Sequence, residues 1–363
     1  MTVPLRRTAT DIALTFSRQF LAGLMQLGQV LIVARVLGPE GAGTYAVALL
    51  LPTLMTQLLN LGLNSANVYF VASRQFPLEQ VWATSRNLML LMSIAGLALG
   101  LIVVTTLGAL AFPGVPQAVL VTALLIYPPS LMAGMAAGLF QALEEFRAFN
   151  IAVLVQPMLS LAGISLLWLL GGVDLVVVLL IVMLSHVVAL TVVLALLHQH
   201  VPLARGSFAK LGYLRPALTY GMKAHLGNLL SFLNHRLDLF LVNLLAGPAA
   251  AGIYTVAVRF AEQLWIISQA VSTVILPRLS AMVEDEEARR AFTPFMARAV
   301  LWSTLVAAGL LATIAQPLIN LLFGLDFAWA AIALAVLLPG IVLFACARVL
   351  GNDMASRGGS GPT

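Results

Sequence analysis

The stretch Gly38-Pro39-Glu40-Gly41-Ala42-Gly43-Thr44-Tyr45-Ala46-Val47-Ala48 returns 209 residues later as Gly247-Pro248-Ala249-Ala250-Ala251-Gly252-Ile253-Tyr254-Thr255-Val256-Ala257. Seven of the eleven positions are identical at that one offset. Gly and Pro recur in many loops, but the shared Ala-Gly-x-Tyr-x-Val-Ala continuation marks an internal repeat. Long apolar runs flank both copies. A Gly-Pro pair cannot continue a helix through its missing N–H, so each copy predicts a tight turn between two helices.

Those apolar runs dominate the whole chain. Of its 363 residues, 61% are hydrophobic and 9% charged, with a mean hydropathy of +1.01. A water-soluble domain is about 45–50% apolar and about 25% charged. The composition therefore excludes a soluble enzyme, a disordered chain and a nucleic-acid-binding protein. One cysteine, Cys346, excludes a disulfide framework and a Cys-rich metal site. The sequence predicts an all-α polytopic membrane protein.

A spanning helix needs roughly 20 mainly apolar residues. Ten such stretches are legible, at about 12–34, 42–72, 85–112, 117–141, 148–170, 174–197, 217–246, 250–277, 293–323 and 327–350. Pro52, Pro128, Pro129 and Pro157 are candidate kinks. A transmembrane barrel would show alternating segments of about 10 residues, and runs such as Leu88–Val104 do not alternate. Arg18 and the length of the first stretch exclude a cleaved signal peptide.

With the N-terminus in the cytoplasm, 14 of the 19 cations fall on that side and only Arg35 on the other. The positive-inside rule thus predicts a cytoplasmic N-terminus. The two repeat copies lie between spans 1 and 2 and between spans 7 and 8. Six spans separate them, so the halves face the same way. Parallel repeats of this kind are a transporter architecture; a duplicated bundle without transport is the alternative. The expected organisation is an N-terminal lobe of six spans (1–209), a C-terminal lobe of four (210–350) and a polar tail (351–363).

Intramembrane polar residues usually face a bundle interior or a wet cavity. The first span carries Arg18, Gln19, Gln26 and Gln29, and the second carries Gln57, Asn60, Asn64 and Asn67 on one face. The seventh carries Asn228, Ser231, His235 and Asp238, with Lys223, His225 and Arg236 nearby; the eighth carries Arg259, Glu262, Gln269 and Thr273. The 209 offset places Gln19 on Asn228, Gln26 on His235, Gln29 on Asp238, Asn60 on Gln269 and Asn64 on Thr273. Polar faces in register predict a cavity lined by both halves. For any one of these residues, interhelical hydrogen bonding is the simpler reading.

The cations Arg18, Lys223, Arg236 and Arg259 outnumber Asp238 and Glu262, so this interior is net positive. Arg236–Asp238 and Arg259–Glu262 are placed to pair locally. A guanidinium in such a cavity suits a phosphate-bearing ligand; for Arg18, snorkelling to the nearby interface is equally open.

The segment Ala34–Tyr45 resembles the opening signature of bacterial polysaccharide and O-antigen flippases, as does Asn60–Phe70. Asp238 followed by Gly247-Pro248, Ala251-Gly252, Tyr254, Val256-Ala257 and Arg259 is similar to that family's pattern in the second half, together with Leu276-Pro277-Arg278-Leu279-Ser280. The resemblance implies the multidrug/oligosaccharidyl-lipid/polysaccharide exporter fold, a V-shaped bundle of two lobes that moves polyprenyl-pyrophosphate-linked oligosaccharides across the membrane by alternating access. It implies membrane lipids and polysaccharide polymerase or export machinery as partners. No cofactor is expected beyond H+ or Na+ coupling at Asp238 or Glu262.

Twelve or more spans are usual in that family, and two repeats of 209 would need about 418 residues, some 55 beyond the 363 present. The sequence alone therefore suggests a truncated flippase, with a ten-span variant or one completed by a partner chain as the alternative. A multidrug or cation exporter of the same fold is the nearer rival, although its typical mid-span carboxylate is missing from spans 1–6. A membrane glycosyltransferase or polymerase is the rival from another class. The acidic run Glu284–Glu287 reads as a helix start, His198-Gln199-His200 as a helix end rather than a metal site, and no phosphate-binding loop is present.

Overall fold

Gly38 has φ 66° and ψ −172°, and Gly247 has φ 82° and ψ 178°. Such backbone is essentially closed to residues with a Cβ. The proline that follows supplies no N–H and suits a first helical position, so one helix stops and the next starts within two residues. Both copies of the repeat thus fold alike. Their matched apolar positions are buried alike too: Ala42 and Ala251, Val47 and Val256, and Ala48 and Ala257 all lie within the core.

A computed structural model describes the backbone of residues 5–201, 211–281 and 286–356, and the side chains of residues 17–201, 212–264 and 293–351. The elements are α1 (Leu5–Leu59), α2 (Leu63–Ala72), α3 (Leu78–Ala111), α4 (Gln117–Leu124), α5 (Tyr127–Ala142), α6 (Phe146–Leu169), α7 (Leu175–His198), α8 (Leu211–Ala281), α9 (Glu286–Phe323) and α10 (Trp329–Ser356). A short 3-10 turn, Leu325–Phe327, joins the last two. The described residues are helix and connecting turns, with no strand among them.

Eight helical stretches among the described residues are long and apolar enough to cross a bilayer. Two of them, Ser17–Leu59 and Gly212–Leu264, have 43 and 53 residues, about twice what one crossing needs. Each contains one Gly-Pro break, so the ten spans expected from the sequence are accounted for. The second span is itself broken after α1, where Leu61 (φ 50°) and Gly62 (φ 68°) are consecutive left-handed residues. The fourth is broken between α4 and α5, just ahead of Pro128 and Pro129. Pro52 and Pro157 lie inside α1 and α6.

The chain packs as two units, one of Gly28–Gly252 and one of Met1–Leu27 with Ile253–Thr363. In the first, α5 packs on α2, α3 and α7, and α6 on α7. Trp82, Tyr127, Tyr213 and Phe140 are its largest fully buried side chains among the described residues. Gly96 leaves room for the Tyr127 ring, whose hydroxyl donates to the Met92 carbonyl at 2.7 Å. Asp174 caps α7 by accepting from the N–H groups of Val176 and Val177, so this carboxylate serves a helix end.

In the second unit α9 and α10 pair around Ala297, Val300, Ala345 and Val349. Large apolar side chains such as Ile94, Leu110, Leu310 and Val336 stand exposed along the spans. A water-soluble monomer rarely displays that much apolar surface, whereas lipid tails cover it at no cost. The chain is a multi-pass membrane protein.

Candidate functional site

Two close backbone crossings bound the part of α8 that belongs to the larger unit. At the Gly-Pro end, a Cβ added to Gly43 would lie 1.7 Å from the Pro248 carbonyl oxygen. One added to Gly252 would lie 2.0 Å from the Pro39 carbonyl oxygen. Pro39 and Gly43 match Pro248 and Gly252 in the repeat, so the contact is reciprocal. Small residues are what allow membrane helices to approach this closely. Gly114 lies under the Pro248 ring, Asn243 is fully buried with its amide donating to the Pro113 carbonyl at 3.3 Å, and Phe112 meets Phe240 edge-on.

The second crossing lies at the other end. Between Gly43 and Gly62 the chain advances 19 positions, about 28 Å at helical rise, close to the thickness of the hydrocarbon core. There the left-handed Gly62 meets the Gly221 backbone, and an added Cβ would lie 1.9 Å from the Gly221 carbonyl oxygen. The side chain of Asn60 makes the break possible: its Oδ1 accepts from the Gly62 N–H at 2.7 Å, and its amide donates to Gln57 Oε1 at 3.0 Å. Next to it, fully buried Asn67 accepts from Tyr213 at 2.6 Å and from Ser85 at 3.0 Å. Tyr69 and Tyr220 stack with centroids 4.5 Å apart.

Several residues expected to line a cavity are therefore engaged within the larger unit. Gln57, Asn60 and Asn67 serve the crossing, and buried Gln29 donates to the Pro157 carbonyl at 3.0 Å. Asn64 is exposed and lies across Gly138, which has no side chain to obstruct it. Of the expected residues on α8, Lys223 is exposed, while His235, Arg236 and Asp238 are half-buried. His235 contacts the Ser231 carbonyl, and Asp238 accepts from the Leu239 N–H.

The smaller unit brings three expected residues together. Arg259 Nη1 donates to Gln26 Oε1 at 3.2 Å and to Glu262 Oε2 at 3.0 Å, which confirms the local Arg–Glu pair. Both bonds leave from one nitrogen. The other edge of the fork, Nη2 and Nε, makes no hydrogen bond among the described residues, and the side chain is 22% exposed. Arg18 is buried on the same helix as Gln26. The side chain of Gln269, the remaining expected residue, lies outside the described residues, as do those of Thr273 and the 284–287 run.

Sequence reasoning found the Gly-Pro repeat but not its partner, which is the other copy. It missed Gly62, Gly221, Asn243 and Tyr213. The Asn60-Leu61-Gly62 triplet was the one available signal, since an Asn side chain can bond the backbone two residues on and glycine accepts the left-handed conformation there.

The family described as polysaccharide biosynthesis protein matches residues 9–283. The succinoglycan biosynthesis transport protein ExoT of Rhizobium meliloti (strain 1021) is 26% identical over 331 residues, covering 86% of this chain and 62% of that protein. The chain thus spans less than two thirds of that relative's length. Among solved structures, the lipid II flippase MurJ in an inward closed conformation matches with a TM-score of 0.76 at 15% identity, over 95% of this chain and 76% of that one. An inward-facing multidrug resistance MATE family transporter of the MOP superfamily matches at 0.71 and 16% identity, over 93% and 82%. At such identities the likeness is one of fold, an all-α polytopic membrane transporter fold.

Proposed function

The chain belongs to the polysaccharide biosynthesis protein family, and from that premise we propose that it flips a polyprenyl-pyrophosphate-linked oligosaccharide across the cytoplasmic membrane. The two repeat halves, 1–209 and 210–350, rock against each other in a V-shaped exporter bundle. The N-terminus is cytoplasmic, so the Gly43–Gly252 contact lies on the outer side and the Gly62–Gly221 crossing on the inner side. The observation that carries this reading is the reciprocal glycine contact: two copies of one turn meet, Gly43 on Pro248 and Gly252 on Pro39, as expected of a carrier built from two parallel repeats.

For the substrate, the supporting observation is the open edge of Arg259. A guanidinium held by Gln26 and Glu262 through one nitrogen keeps a second nitrogen pair for a phosphate, which such a fork matches bidentately. Arg18, Asn64, Lys223, His235, Arg236 and Gln269 are the further residues we propose for substrate binding. Gln29, Gln57, Asn60 and Asn67 act through helix contacts. Asp238 and Glu262 are the groups for H+ or Na+ coupling, no other cofactor is invoked, and polymerase or export machinery takes the product.

The test is translocation of a lipid-linked oligosaccharide in proteoliposomes. Arg259→Ala lowers the rate at least about tenfold, the worth of one charge-assisted pair, at unchanged protein level. An unaltered rate overturns the anion reading. The MATE-like fold favours a second reading, multidrug export, and efflux of a cationic dye that depends on Asp238 would establish it instead.

A further inference from the structure

Nine backbone positions among the described residues are left-handed, and six of them are glycine. The other three are Leu61, Arg74 and Glu144. Leu61 belongs to the break in the second span. Arg74 and Glu144 end two different helices in the same way. After α2, the Gln75 N–H bonds the Phe70 carbonyl and the Arg74 N–H that of Val71. After α5, the Glu145 N–H bonds the Phe140 carbonyl and the Glu144 N–H that of Gln141. These are Schellman ends, whose left-handed residue is usually glycine. Here the chain keeps a cation and an anion where the backbone favours no side chain at all.

Both residues line one cavity of about 580 Å³, with Val71, Phe76, Leu78 and Leu143 as its apolar wall. Arg74 and Glu144 are exposed and form no ion pair with each other or with any described residue. The cavity therefore presents a positive and a negative charge, separated, above apolar surface. It lies where α2 turns into α3 and α5 into α6, at the ends of spans and hence at the depth of lipid headgroups. Strained backbone retained at one cavity argues for the side chains it carries.

We propose that this cavity binds the headgroup of a phosphoethanolamine lipid. Arg74 holds the phosphate through its fork, Glu144 accepts from the ammonium N–H groups, and the apolar wall takes the start of the acyl chains. A choline headgroup has no N–H to give Glu144, and a glycerol headgroup has no cation. The site shares no residue with the polar cluster at Arg259 and does not depend on the transported substrate.

The test is lipid binding to the purified full chain in detergent, with phosphatidylethanolamine, phosphatidylcholine and phosphatidylglycerol of identical acyl chains. Binding is read by native mass spectrometry and by the rise in melting midpoint. The ethanolamine lipid binds about tenfold tighter than either other lipid, as expected for one more charge-assisted contact. Arg74→Gly and Glu144→Gly each abolish that preference while the unliganded melting midpoint stays level or rises, because glycine suits both positions. Glu144→Gln, which keeps the side-chain shape, also loses it. Equal binding of phosphatidylglycerol or phosphatidylcholine overturns the proposal, as does a preference that survives in the glycine variants.

Discussion

The two glycine crossings of α8 look alike and differ in origin. At the outer crossing, Gly43 meets Pro248 and Gly252 meets Pro39, so one sequence motif packs against its own copy. The inner crossing has no such symmetry. The 209 offset carries Gly62 onto Val271 and Gly221 back onto Ile12. Duplication alone explains the outer contact, whereas the inner one required a broken helix, an Asn turn and a buried Asn-Tyr-Ser cluster. A contact made by the repeat has two equivalent halves and should fail equally from either side; a contact made by unlike elements should not.

The largest expected effect is at the outer crossing. Gly43→Ala and Gly252→Ala each drive a methyl into a backbone carbonyl, at 1.7 and 2.0 Å, which no side-chain adjustment relieves. Both are expected to reduce translocation at least about tenfold and by similar factors, measured in proteoliposomes at matched protein content. One inert variant beside one inactive variant would break the symmetry argument.

Next comes the inner crossing, where inequality is expected. Gly62→Ala suffers both a left-handed backbone and a contact at 1.9 Å, while Gly221→Ala meets its nearest atoms at 2.7 and 3.0 Å. Gly62→Ala should be the more destabilising by about 1–2 kcal/mol, the cost of the left-handed conformation alone, read from denaturation midpoints in detergent. Equal losses would mean that the backbone strain has been misplaced.

A smaller effect belongs to the cluster beside it. Tyr213→Phe removes one of two donors to Asn67 and leaves Ser85 in place, so about 0.5–1.5 kcal/mol of stability is expected to go. Adding Ser85→Ala leaves the buried Asn67 carbonyl without either donor and should cost more than the two single losses together. The smallest is Glu262→Gln. Its bond to Arg259 is partly exposed at both ends, and about 1 kcal/mol or less of stability is expected to change.

Much of the fold was legible before any coordinates, and the reason differs by feature. The spans at 148–170 and 174–197 became α6 and α7 almost residue for residue, because transfer of apolar side chains into lipid is a property of the segment itself. The site was legible in one cluster only. Arg259 and Glu262 pair as their spacing suggested, and Gln26 joins them, which the spacing did not state. Gln29 and Asn67 instead take partners 128 and 146 residues away, at Pro157 and Tyr213. A polar stripe on a helix states which face is polar; it carries no information about the group that will meet it.

The sequence by itself determined the membrane class, the duplication and the two Gly-Pro breaks. Each rests on local chemistry: hydrocarbon transfer, a missing N–H, and a backbone conformation open to glycine alone. Tertiary structure decided which polar side chains are spent on helix contacts, which edge of Arg259 stays open, and where α8 is gripped. Those outcomes depend on backbone carbonyls and hydroxyls from distant spans, whose positions exist only after the helices have packed.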